Sequence, residues 1–463
     1  MSVVCHLSAG WLLDHLSFIN KANYQLCHSH DHSGLAFVDD PATAASSDGA
    51  LIEAARSLDA KNSCRKDSVD EIKAPEEKAS LMVKNTYVFR EEFFNVLKPH
   101  GVANNQMELQ QKGSEAGLGN GGSEQQERVR TNGSYYTAKA KKIRGLILDG
   151  TRSLVQEGLR SGFLQPSSSK QICAKTPVIE HSSLSELCEM AKQFPSVNET
   201  EQRAVCMISE DSCVPEQVQV SCVTENTTNY AKIITLMGQK YLFPPKSAFL
   251  LSDISVMQPL LDYKKKFGII IIDPPWENKS VKRSNRYNYL SHWQIKQIPV
   301  PALAAPGCLV VTWVTNRQKH LCFVKNELYP HWSVRGVVEW FWVKITKSGE
   351  FVFPLDSFHK KPYEVLVLGR VQQNTDVPLS RISEDDMPQI PDQKLIVSVP
   401  CNLHSHKPPL TEILKGYTKP DVECLELFAR NLQPGWTSWG NEVLKFQHID
   451  YFTAFQNKSD KYL

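Results

Sequence analysis

Four absences narrow this 463-residue chain before any motif is read. Its twelve cysteines include no Cys-x-x-Cys pair, so neither a zinc site nor a dithiol redox centre is expected. The apolar opening Met1–Leu7 lacks the basic residues of a signal peptide, and the cysteines therefore read as reduced intracellular thiols. No apolar stretch approaches the roughly 20 residues of a membrane-spanning helix, so no membrane is expected among the partners. No charge of one sign dominates: 52 Lys and Arg stand against 50 Asp and Glu, and any surface for nucleic acid must be a local patch. A phosphate-cradling glycine loop is missing too, because Gly117-Leu118-Gly119 follows no strand and opens no helix. Cys27, His28, His30, Asp31 and His32 crowd together, but their spacing fits no ligand pattern; a solvated loop and no metal are expected.

What is present centres on Phe267-Gly268-Ile269-Ile270-Ile271-Ile272-Asp273-Pro274-Pro275-Trp276. An apolar, β-branched run without alternation suits a parallel strand covered on both faces. The Pro-Pro pair cannot extend a ladder, so the strand stops at Asp273, at the carboxyl end where open α/β sheets bind ligands. This tip suits methylation of an exocyclic base amine. The lone pair of such an amine is delocalised into the ring, and two acceptors gripping its N–H bonds would turn it outward. Asp273 and the Pro274 carbonyl are the candidate acceptors, Pro275 stiffens the turn, and Trp276 is expected to stack the base. Downstream, Lys279, Lys282, Arg283 and Arg286 are interleaved with Tyr287 and Tyr289, charge for phosphates and rings for bases, which is the local patch that the near-neutral balance requires.

The Asp-Pro-Pro-Trp tip resembles the signature of the amino-group (N6-adenine) methyltransferases. Its flanks, with Phe428-Ala429-Arg430-Asn431-Leu432-Gln433-Pro434-Gly435-Trp436, are similar to the eukaryotic family of the mRNA adenine methyltransferase catalytic subunit. The similarity covers roughly residues 230 to 450 and the opening segment. It implies an α/β, doubly wound, Rossmann-like fold that uses S-adenosyl-L-methionine as cofactor. It further implies contacts to that cofactor from Asp253, Ile254, Asp273, Lys407, Glu426, Arg430, Asn431, Asn441 and Glu442, and a substrate-gripping loop with His359 and Lys361. Two departures are visible: Ala429 stands where glycine is usual, and the loop after Arg430 is shorter. The implied partner is RNA, first the 2′-O-methyladenosine of a spliceosomal small nuclear RNA, with DNA second. The expected protein is a nuclear monomer, with cytosol or mitochondrion and a heterodimer with an inactive relative as the alternatives. A non-catalytic RNA-binding scaffold and a protein-glutamine methyltransferase are the rivals. The intact tip opposes the first and the basic, aromatic loop opposes the second.

Further strands are expected at Leu309–Thr315, Trp340–Lys344, Tyr363–Gly369 and Leu425–Phe428, and a hairpin at 233–245. Ahead of them the chain reads as a docking helix within residues 1–28, spaced from Leu7 to Ile19, and a mostly disordered linker over 29–138 with one apolar island, Tyr87–Leu97. A helical region follows over 139–228, opening at Lys139 and restarting near Ser183, then the catalytic domain over 229–452 and a tail over 453–463. Ser405-His406-Lys407-Pro408 is expected to open a helix.

Overall fold

A computed structural model of the chain describes residues 2–22, 24–28, 83–100, 123–166, 205–209, 222–277, 289–357, 360–372 and 387–457. In chain order its strands are β1 (Val3–Leu7), β2 (Gly10–Leu13), β3 (Tyr24–His28), β4 (Val83–Phe89), β5 (Val205–Ile208), β6 (Val223–Asn226), β7 (Lys232–Leu236), β8 (Gln239–Phe243) and β9 (Ala248–Leu250). They continue as β10 (Phe267–Ile272), β11 (Ala304–Val314), β12 (Val334–Lys344), β13 (Tyr363–Val371), β14 (Leu395–Ser398), β15 (Cys424–Leu427), β16 (Trp436–Trp439) and β17 (Phe452–Asn457). Among the described residues, twelve of them form one sheet in the order β1-β2-β14-β12-β13-β11-β10-β15-β16-β9-β6-β5.

The centre of that sheet is parallel. β11, β10, β15, β16 and β9 all run the same way, with Ile271 of β10 opposite Val311 and Glu426. Ile269 to Ile272 are buried, alternating between the two apolar layers, and each such side chain contributes about 1.5–3 kcal/mol. β10 is the switch point: the chain leaves it toward β11 on one side and reaches β15 and β16 on the other, so a crevice opens at the carboxyl ends of these strands. Because β13 is antiparallel to β11 and β12, its amino end, with Glu364, lies at that same edge.

The expected catalytic strands and the 233–245 hairpin, here β7 and β8, are found. The apolar island becomes β4 and a short 3-10 turn, and β4 pairs with β3 and β17. Several expectations are corrected. Residues 7–20 are not one helix: β2 precedes the helix α1 (His15–Asn20), which is capped by Asp14. Trp11 and Leu13 face one apolar layer and Leu12 the other, and an all-apolar run covered on both sides does not declare its period. The helix expected from Lys139 is α2 (Ser123–Arg160), which begins inside the supposed linker because its Glu, Gln and Arg favour a helix without marking an apolar face. No seam falls at 229, since β1, β2, β5 and β6 share the sheet with the catalytic strands, and the tail carries β17. No helix opens at Ser405; Pro408 and Pro409 oppose it, and the next helix is Thr411–Leu414. The helix expected near Ser183, and His30 to His32, lie outside the described residues.

Candidate active site

Asp273 leaves β10 with its side chain only 12% exposed. Arg430 Nη1 donates to its Oδ2 at 2.8 Å, while Lys407 Nζ stands 3.7 Å from its Oδ1. The cations are themselves anchored. Arg430 Nε donates to Glu442 Oε2 at 3.0 Å, and Lys445 reaches Glu442 Oε1 at 2.6 Å. Lys407 bonds Glu364, which also binds Lys344 at 2.6 Å. The Lys407 ammonium lies 4.9 Å from the Trp313 ring centre and 5.8 Å from that of Trp342, within cation–π range.

Burial disfavours the charged forms of Lys407, Arg430, Glu364 and Glu426, and their partners decide the outcome. At Lys407 burial works against the ammonium, but Asp273 and Glu364 outweigh it and raise its pKa. At Arg430 burial is likewise overcome by Asp273 and Glu442. Burial alone would raise Glu364, yet Lys407 and Lys344 hold it far below the usual carboxylate range. Glu426 is the exception. Burial pushes it up to about 7, and the Gln433 amide, at 3.1 Å, offsets only part of that.

Local backbone explains why these side chains converge. Phe428 adopts the left-handed conformation at φ 60°, which is rare and strained for a bulky residue. Its ring packs on Trp439 at 5.0 Å, and the turn sends Arg430 back toward Asp273. Gly440 passes so near that an added Cβ would stand 3.1 Å from the Ala429 carbonyl. Trp439 Nε1 donates to Ser252 Oγ at 2.8 Å and Gly440 N to Leu250 O, so the loop with Asp253 and Ile254 lies beside the one with Asn441 and Glu442. Asp253 caps its own turn, accepting from Ser255 N at 2.9 Å.

The anticipated residues therefore divide. Asp273, Lys407, Arg430 and Glu442 are brought into contact; Glu426 is near enough to feel Asp273 and Arg430. Asn441 is exposed at the rim, whereas Asn431 lines a separate crevice with Phe18, Tyr24, His406 and Gln447. Pro274 offers its carbonyl to Trp276 N at 2.8 Å, which leaves one lone pair. Trp276 is a correction. Its indole is 5% exposed, donates to the Trp313 carbonyl at 2.9 Å and packs on His320 at 4.8 Å, so it braces the tip and offers no face to a base. Lys361 turns back to the Leu355 carbonyl of its own loop. Lys279, Lys282, Arg283, Arg286, Tyr287 and His359 lie outside the described residues. Sequence reasoning missed Lys344 and Glu364. Their signal was a lone charge at the end of each of two apolar runs that register as a pair.

A family model described as MT-A70 matches residues 267–442, from the first residue of β10 to Glu442. The human N(6)-adenine-specific methyltransferase METTL4 is 55% identical over 482 residues, 99% of this chain and 100% of the relative. The chain belongs to the MT-A70 family. Its likeness to N6-methyladenosine RNA methyltransferase MTA1 of Pyricularia oryzae is 34% over 230 residues, 48% of this chain and 58% of that one. With the DNA N6-methyl methyltransferase of Caenorhabditis elegans it is 33% over 223 residues, 47% and 56%. MT-A70 methyltransferases depend on S-adenosylmethionine, and this chain is one of the N6-adenine class. The donor set fits that cofactor: buried cations at Lys407 and Arg430 suit a carboxylate, and acids at Asp273, Glu364 and Glu442 suit an ammonium, a sulfonium and ribose hydroxyls.

Proposed function

We propose that this methyltransferase acts on an unpaired adenosine of RNA, first of all the 2′-O-methyladenosine of a spliceosomal small nuclear RNA, at a site organised by Asp273. The observation that carries the reading is the Asp273 carboxylate at the carboxyl end of β10, held from one side by Arg430. At 3.7 Å the Lys407 contact is an ion pair beyond hydrogen-bond reach, so Oδ1 keeps room to accept from an adenine N6–H. The second N–H goes to the free lone pair of the Pro274 carbonyl. Gripped at both hydrogens, the amine presents its lone pair outward, and holding it there converts a poor nucleophile into a positioned one. When bound, S-adenosylmethionine supplies an electrophilic methyl group. Lys407 takes its carboxylate end, Arg430, Glu442 and the Asp253–Ile254 loop its nucleoside end, and Lys279, Lys282, Arg283, Arg286, Tyr287 and His359 the RNA strand.

The fungal relatives named as RNA methyltransferases support RNA. Adenine in DNA is the second reading, favoured by the Caenorhabditis elegans relative's name. Chemistry at N6 needs an unstacked base in either case. A small nuclear RNA substrate goes with nuclear residence, and the monomer remains the working assembly, to be measured by sedimentation. Transfer of label from S-adenosylmethionine to matched RNA, 2′-O-methyl RNA and single-stranded DNA is expected to be fastest on 2′-O-methyl RNA. Asp273→Asn is expected to lower it by about a hundredfold or more. Faster transfer to DNA would overturn the substrate, and full activity in Asp273→Asn would overturn the site.

A further inference from the structure

The chain has nine tryptophans. Eight are buried, at 6% exposure or less, while Trp293 is 69% exposed. A scattered surface apolar residue needs no explanation, but the mounting of this one is unusual. Trp293 is the second residue of the helix His292–Lys296, whose start is fixed by a complete capping box between Ser291 and Gln294. Its neighbour His292 stacks flat on Phe323 with ring centres 3.8 Å apart and meets the edge of Trp276 at 6.4 Å. Just before the helix, Leu290 N donates to the Pro275 carbonyl at 3.1 Å, which ties the segment to the catalytic tip. Three peptide units separate Leu290 from Trp293, so their Cα atoms are at most about 11 Å apart. Tyr289, on the other side of Leu290, is 40% exposed.

This indole is thus held rigidly at its root, turned to solvent, and carried on a segment that is bonded to the Pro275 carbonyl of the catalytic tip. Trp276, whose ring would otherwise stack a base, is enclosed. The chain that leads into Tyr289 carries Lys279, Lys282, Arg283 and Arg286, a charge complementary to a phosphate backbone. A large, rigidly mounted aromatic face turned to solvent is the physical form of a sequence-tolerant platform for single-stranded nucleic acid, because every base presents a π-face.

We propose that Trp293 stacks on a nucleotide adjacent to the target adenine in a single-stranded substrate and so helps to hold the strand while the adenine enters the site. The inference rests on the nucleic-acid reading above. Since the other tryptophans are enclosed, oligonucleotide binding should quench the fluorescence of this residue selectively. The test is titration of the full chain with single-stranded RNA of about ten nucleotides, read by tryptophan emission and by anisotropy of an end-labelled strand. The proteins are wild type, Trp293→Phe and Trp293→Ala, each checked for an unchanged melting temperature. Quenching is expected in wild type and not in either variant. Affinity should fall about tenfold in Trp293→Ala and stay within about threefold in Trp293→Phe. Removing the base at one position beside the adenine should weaken wild type but add little to Trp293→Ala, because both changes delete the same contact. Equal affinity of wild type and Trp293→Ala, or additive losses at every abasic position, would overturn the proposal and leave the indole for a protein partner. If wild type bound no RNA and no single-stranded DNA, the nucleic-acid reading itself would fall with it.

Discussion

Glu426 enters the interior bonded to the Gln433 amide rather than to a cation, and the consequence is measurable. An unfolded glutamate titrates near 4.3, whereas burial puts Glu426 at about 7. Between those values the folded chain keeps a proton that the unfolded chain has released, so stability falls as pH rises from about 4 to about 7 and is level above. The full penalty is about 3–4 kcal/mol. Glu426→Gln, which cannot ionise, is expected to match or trail wild type at pH 5 and to gain on it by pH 8, measured by denaturant unfolding at the two pH values. An equal gap at both would show that Glu426 is ionised throughout. At this scale the sequence was most legible where one residue type has few uses: the acid before two prolines, and a lysine before two more. It was least legible for Glu364 and Lys344, whose charges have meaning only because the fold brings Glu364 against both Lys344 and Lys407.

Elements were legible when their apolar pattern had one reading. β10, β11, β13 and β15 could be read from runs too short for buried helices and rich in β-branched residues. β2 could not, since Gly-Trp-Leu-Leu continues smoothly into the residues of α1. The decision was made by Gly10. It lies at φ 147°, and an added Cβ would stand 1.9 Å from the Leu395 carbonyl, so β2 and β14 approach only because this position has no side chain. Gly10→Ala is expected to cost about 3 kcal/mol, read as a lower urea midpoint; no change in the midpoint would place β2 away from β14. α2 shows the complementary failure. Its carboxyl-terminal half was found because Ile143, Leu146, Ile147 and Leu154 repeat on one face, and its amino-terminal half was taken for linker because a polar sequence carries no periodic apolar signal.

For the molecule as a whole, the N-terminal segment is structurally part of the catalytic unit. β2 lengthens the main sheet beside β14, His15 of α1 meets the His406 ring at 4.9 Å, and Lys21 and Ser2 both bond Glu412. These contacts brace the loop that carries Lys407. Deleting residues 1–22 is expected to lower the melting temperature by about 10 °C or more, since several fully buried side chains are lost at once, and to weaken S-adenosylhomocysteine binding by about tenfold. Scanning fluorimetry and titration calorimetry measure the two effects, and a truncated protein unchanged in both would make the segment an appendage. The sequence by itself determined the central strand β10, the acid and two prolines that end it, and their place at the carboxyl edge of the sheet, because those follow from local patterning and from residues that cannot extend a ladder. Only the tertiary structure decided which cations hold Asp273, that Trp276 braces rather than stacks, and that the first strands close the same sheet. Those outcomes depend on which distant segments share one edge and which side chains lose contact with water, and neither is written in the spacing of neighbours along the chain.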